Sequence, residues 1–183
     1  MNAIIFSDVF GITPALIILK EKIGANSIID PYEGEYMDFK NEAEAYSYFV
    51  NQVGLDRYVS NILNALSHLE CKTTLIGFSI GASAIWRLSH NNTNDLIEQG
   101  ICFYGSQIRH QTNLSPKFDV RLIFPRRELH FDVQALKCAL ANKPRVTIEQ
   151  ADFLHGFMNY HSENFNSVGY QKYLALLLND SCR

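Results

Sequence analysis

The chain is expected to fold as an α/β protein: a mainly parallel sheet of about six strands, flanked by helices in a three-layer sandwich. Three observations predict this. Six short apolar runs are spread along the 183 residues. Most are continuous rather than alternating, the pattern of strands covered on both faces. Between most of them lie longer stretches with helical spacing or helix-start signals, which imply right-handed crossovers between parallel strands.

The runs are Ala3–Ser7, Ser27–Asp30, Thr73–Gly77, Ile101–Tyr104, Val120–Phe124 and Arg145–Glu149. Thr13 followed by Pro14 reads as an N-cap and a first helical residue, opening a helix that runs toward Gly24. Residues 41–50 read as a second helix. Within Asp56–Leu69, Val59, Ile62, Leu63, Leu66 and Leu69 share one stripe. Further helices are expected from Ser79 to about His90, over Asp132–Leu140 and over Val168–Leu178. Ser106–Pro116 reads as a surface loop.

Length fits one domain spanning residues 1–183, large enough to bury a core without disulfides or a structural metal. Sixteen Lys and Arg against nineteen Asp and Glu leave a net charge of −3. That balance excludes a strongly basic nucleic-acid binder and gives no polybasic attraction to membranes. The longest apolar runs, Ala15–Leu19 and Leu174–Leu178, are far shorter than a spanning helix. The residues up to Asp8 do not read as a secretion signal, so the expected location is cytoplasmic. Cys71, Cys102, Cys138 and Cys182 form no CxxC pair and are expected to be free thiols, with Cys102 a buried apolar residue. No H-E-x-x-H spacing is present.

In a parallel sheet, ligands bind beyond the carboxyl ends of the strands. Asp8–Gly11, Phe78–Gly81, Gly105, Pro125–Glu128 and His155 all follow strands and therefore collect on one edge. Gly77-Phe78-Ser79-Ile80-Gly81 is a G-x-S-x-G segment between a strand and a helix, a turn that exposes a serine hydroxyl in a strained backbone position. The Ile80 amide, at the helix start, becomes one candidate oxyanion donor. A serine hydroxyl needs a base, and His155, just past the sixth run, is the candidate. His68 and His90 lie at helix ends, and His110 and His161 lie in polar loops. His130 is the one other histidine just beyond a strand. An acid that orients the base should follow the fifth strand, where Glu128 and Asp132 both stand. Glu128 is preferred, because Asp132 has the position of an N-cap. The Val9 amide, after the first strand, is placed to be the second oxyanion donor, while Asp8 beside it is expected either to pair with another group or to hold the loop.

With these residues in view, the chain resembles the dienelactone hydrolase family of α/β-hydrolases. The matching stretches are Ser7–Pro14, Asp30-Pro31-Tyr32, Phe39–Phe49 with its Glu42 and Ala45-Tyr46, Gly77–Gly81, Phe124–Leu136 and His155-Gly156-Phe157. The resemblance implies a nucleophile at Ser79, an acid at Glu128, a histidine at His155, and oxyanion amides at Val9 and Ile80. The best-known family enzymes use cysteine where this chain has Ser79, typically use aspartate where it has Glu128, and have additional N-terminal strands before the segment matching Asp8–Gly11. Their carboxylate-binding arginines have no clear counterpart; Arg87 and Arg109 lie near the expected edge.

The expected function is hydrolysis of small carboxylic esters or lactones through a Ser-His-Glu triad and an acyl-enzyme, with no metal or organic cofactor. The expected partner is the small-molecule substrate. An exposed edge at Ser27–Asp30 leaves a homodimer open. Two other readings stand beside it: an inactive member of the fold that binds or regulates, and a transferase that passes the acyl group to an acceptor other than water.

Overall fold

Continuous apolar strands need cover on both sides, and the chain supplies it. In the computed structural model, which describes residues 2–91 and 94–180, six strands form one sheet: β1 (Ala3–Phe6), β2 (Ser27–Ile29), β3 (Thr73–Phe78), β4 (Ile97–Phe103), β5 (Asp119–Phe124) and β6 (Val146–Gln150). Their order is β2-β1-β3-β4-β5-β6, and all five pairings are parallel. The register runs through Ile5, Ile76 and Ile101 at the sheet centre.

Alternate residues of each strand enter different cores. Ile4, Phe6, Leu75, Cys102, Leu122 and Phe124 pack on one face with Tyr58, Ile62, Trp86 and Leu140. Those partners come from α3 (Gly54–Leu66), α4 (Ile80–Asn91) and α5 (Val133–Leu140), with α2 (Glu42–Tyr48) adding Ala45. On the opposite face, Ala3, Ile5, Ile76, Ile101 and Ile123 meet Leu19 and Ile23 of α1 (Pro14–Ile23) and Tyr173 and Leu177 of α6 (Ser167–Asp180). Each such aliphatic side chain, fully buried, contributes about 1.5–3 kcal/mol.

The helix punctuation follows its chemistry. Thr13 accepts from the Leu16 amide at the start of α1, and Gly24 closes that helix in the left-handed region. Asp132 accepts from the Gln134 and Ala135 amides and is the N-cap of α5. Helix α2 passes at Phe49–Val53 into a π-helical turn before α3.

Most boundaries shift by a few residues, and β4 with the segment after it departs furthest from expectation. Strand β4 begins at Ile97, four residues earlier than its apolar run: Ile97, Gln99 and Gly100 pair with β3, but exposed Glu98 and half-buried Gln99 interrupt the apolar pattern there. The segment after β4 is not wholly irregular: Ser106–His110 forms a 3-10 turn. Among the cysteines, Cys102 is buried and Cys71 and Cys138 are exposed free thiols, while Cys182 lies outside the described residues.

From β1 the chain crosses to β2 on one side, and from β3 it crosses to β4 on the other. The carboxyl ends of β1 and β3 therefore flank a topological switch point, where an open parallel sheet has its crevice.

Candidate active site

Strand β3 must become α4 within one residue, and Ser79 sits at that corner with φ 51°. A non-glycine residue there stores about 1–3 kcal/mol, sustained only where the surroundings hold it. The surroundings are tight. A Cβ on Gly77 would come 2.6 Å from the Ala82 nitrogen, and one on Gly81 would press into the Phe6 carbonyl, 2.7 Å from its carbon. Only glycine at both positions lets the turn of α4 seat against β1 and β3. The corner is fastened by the Ser79 amide, which donates to the Phe103 carbonyl at 2.9 Å, and by the Ser83 amide and hydroxyl, which donate to the Ser79 carbonyl at 3.0 Å.

Three loops then converge. His155 Nε2 lies 3.1 Å from Ser79 Oγ, and His155 Nδ1 lies 2.7 Å from Glu128 Oε1. An ionised carboxylate only accepts, so Nδ1 carries the proton and Nε2 is left to accept from the serine hydroxyl. The His155 and Glu128 side chains are 18% and 10% exposed. Burial pulls the imidazole pKa down, but the hydrogen bond and charge of Glu128, reinforced by Glu42 and Asp8, outweigh it and hold His155 above the usual histidine value. The imidazole rests against the buried ring of Tyr104, centroids 4.9 Å apart. Tyr104 follows β4 and is itself in the left-handed region, at φ 43°.

Of the two acids that sequence places after β5, Glu128 meets the histidine and Asp132 is committed to capping α5. Asp8 also has its partners. Its Oδ1 accepts from the Phe10 amide at 3.0 Å and its Oδ2 from Asn159 Nδ2 at 2.6 Å. Burial outweighs both bonds and, helped by nearby Glu42, pushes the Asp8 carboxyl up to about 6. Asn159, four residues past His155, escaped the sequence reading; its only signal was its place on the same strand-end loop.

The Val9 and Ile80 amides are the donors left over. Both residues are buried. Neither amide has an acceptor among the described residues, although the Ser79, Phe10 and Gly11 amides around them all do. Ile80 opens α4, where the first amides find no partner within the helix, and Val9 lines the same cavity as Ser79, so both belong to the turns that flank the serine.

A cavity of about 700 Å³ opens over the serine, lined among others by Val9, Glu42, Tyr46, Ser79, Arg109 and Phe131. That volume suits a small organic ligand. Arg109 is held by the Ser106 carbonyl at 2.6 Å and lies over the Phe131 ring at 5.1 Å. Gln107 Nε2 donates to the Tyr46 hydroxyl at 3.1 Å, joining α2 to the 3-10 turn across the cavity mouth. Arg87 faces elsewhere and pairs with Asp56 of α3. His90 Nδ1 lies 3.1 Å from the Ser115 carbonyl and 3.2 Å from its amide. Among the described residues, no three His, Cys, Asp or Glu side chains gather as a metal ion would need, and no helix is long and apolar enough to cross a membrane.

No family model matches the chain. Comparison with known proteins gives two kinds of likeness. Over 154 residues the chain is 34% identical to the uncharacterized protein YczH of Bacillus subtilis, covering 80% of this chain and 73% of that one. Among solved structures, a dienelactone hydrolase of Anabaena variabilis superposes with TM-score 0.70 at 13% identity, over 98% of this chain and 84% of its own. The dienelactone hydrolase-like promiscuous phosphotriesterase P91, from metagenomic libraries, superposes with TM-score 0.69 at 13% identity, over 99% and 85%. The chain therefore belongs to the same family as Bacillus subtilis YczH and is built on the α/β-hydrolase fold of the dienelactone hydrolase-like proteins.

Proposed function

We propose that the protein is a serine hydrolase of small carboxylic esters or lactones, working through an acyl-enzyme. One observation carries the reading: a serine hydroxyl, an imidazole and a carboxylate are linked at 3.1 and 2.7 Å beside two unpaired backbone amides. The neighbours in fold support the broader class, since they are described as a dienelactone hydrolase and a phosphotriesterase.

In this mechanism Ser79 Oγ attacks the substrate carbonyl carbon as its proton passes to His155 Nε2. Negative charge moves to the carbonyl oxygen, where the Val9 and Ile80 amides are available to receive it. Glu128 stabilises the imidazolium and keeps its ring in register. The imidazolium returns the proton to the leaving oxygen. Water, deprotonated by the same histidine, then attacks the acyl carbon, and Ser79 Oγ leaves with the proton. The substrate occupies the 700 Å³ cavity, between the Arg109–Phe131 wall and Tyr46.

The test is hydrolysis of short p-nitrophenyl esters by the wild type and Ser79→Ala. The variant is expected to lose several orders of magnitude in kcat, and a phosphonate probe should label the wild type on Ser79. Equal rates in the two proteins would remove Ser79 from the chemistry. An unlabelled native protein would favour a binding role for the fold, which gains nothing from a strained serine or unpaired amides.

A further inference from the structure

The amide of Val9 is useful to an oxyanion only while its turn keeps one orientation, and the bonds that hold this turn can be traced. The Asp8–Val9 peptide carries that N–H on one side and the Asp8 carbonyl on the other. The carbonyl accepts from the Gly11 amide and the Ser7 hydroxyl, each at 3.1 Å. The next peptide, Val9–Phe10, is gripped at both ends. Its N–H donates to Asp8 Oδ1 at 3.0 Å, and its carbonyl, Val9 O, accepts from the Tyr32 hydroxyl at 2.6 Å.

Tyr32 is the one partner of that second peptide from outside the turn among the described residues, and it stands on the loop after β2. Its ring is buried and lies so close to the turn that a Cβ on Gly11 would come 2.7 Å from ring carbon Cδ2. It is set edge-on against Phe39 and Tyr48, with centroids 5.6 and 5.8 Å away. Its backbone amide donates to buried Asp30 at 2.7 Å, and the same carboxylate accepts from the Gly34 amide at 2.9 Å.

We infer that Tyr32 is a positioning residue for the oxyanion hole: its hydroxyl pins the Val9 carbonyl and so keeps the Val9 N–H turned toward Ser79. It touches no reacting atom. Without the hydroxyl, a buried carbonyl loses its donor, and the two peptide planes can rotate together, taking the N–H off the developing charge. The inference rests on the reading of Val9 as an oxyanion donor in ester hydrolysis.

The experiment compares wild type with Tyr32→Phe, which keeps the ring and deletes the bond. On p-nitrophenyl acetate, kcat should fall about 10–100-fold while KM moves less than about twofold, a loss below that of removing an oxyanion donor outright. The inhibition constant for an aryl trifluoromethyl ketone, whose hemiketal oxygen would occupy the same hole, should rise in step with the fall in kcat/KM. In ¹⁵N relaxation dispersion, the Val9 and Phe10 amides should gain exchange broadening in the variant. An unchanged kcat with an unchanged ketone constant overturns the positioning role even if the wild type is an active esterase. A wild type that hydrolyses no ester overturns the hydrolase reading instead, and the amide dispersion then decides the role of Tyr32 alone: broadening upholds the clamp, and its absence removes it.

Discussion

Glu128 carries one methylene more than an aspartate, and its loop spends the extra reach on a 2.7 Å bond to His155. The bond has two consequences that can be separated. It fixes the tautomer, so that Nε2 is the acceptor facing Ser79, and its charge raises the histidine pKa against the pull of burial. In the proposed mechanism His155 must be neutral to act as a base, so kcat/KM should rise with pH along a limb set above the ordinary histidine value. In Glu128→Gln the charge is gone and the amide can donate to Nδ1, which forces the proton onto Nε2. Expected are a kcat lower by about 10²–10⁴ and an acid limb moved toward lower pH. A pH–rate profile of the variant whose limb stays in place would show that Glu128 does not set the titration of His155.

At the level of the elements, the site is made by the seating of α4 against β1 and β3. Gly77 and Gly81 permit that contact, and they differ from Gly24, which closes α1 with open space around it. Gly81→Ala puts a methyl group into the Phe6 carbonyl at the end of β1, so the helix start and the Ser7–Gly11 turn must separate. The expected loss is about 1–3 kcal/mol, reduced by the better helix propensity of alanine. Activity should drop with it, because the same displacement moves Ile80 away from Val9. Gly24→Ala meets only the left-handed backbone penalty of about 1–2 kcal/mol and should leave the rate on p-nitrophenyl acetate alone. Thermal midpoints and p-nitrophenyl acetate rates of both variants check this; equal losses in both would mean that the close approach at Gly81 does not govern the site.

Over the whole molecule, the crevice concentrates carboxylates around His155, and folding stability should record it. Asp8 has its pKa raised from 3.8 to about 6, so between about pH 4 and 6 the folded state binds more protons than the unfolded one. Stability therefore falls as pH rises through that window, by about 3 kcal/mol in all. His155, also raised, contributes stability below its unfolded value of 6.5 that is lost as pH climbs through its folded pKa. Both effects have the same sign, so denaturant midpoints should decline from pH 5 toward neutrality. In Asp8→Asn the decline below about pH 6 should shrink to what Asp30, also raised by burial, contributes, while the His155 part remains. Parallel stability curves for wild type and Asp8→Asn from pH 4 to 6 would mean that Asp8 is not penalised by burial, since the opposing contribution of Glu149 is common to both.

The parallel sheet could be anticipated because it rests on local signals: continuous Ile, Leu and Phe runs, the Thr13-Pro14 start, the Gly24 stop. The same holds for Ser79, whose motif is a backbone requirement written in five consecutive residues, and for His155, which simply follows the sixth strand. Local sequence does not carry the distance between segments far apart in the chain. Glu128 and Asp132 are both acids beyond β5, and composition cannot say which side chain turns to the histidine and which caps α5. Asn159 carries no motif, and Tyr32 stands in a matching stretch that says nothing of its contact; each meets the Asp8–Phe10 turn across loops, 151 residues away in one case and 23 in the other. Short-range sterics choose strands, helices and strained corners. Hydrogen-bond partners among loops are chosen only when packing brings those loops within 3 Å or so of one another.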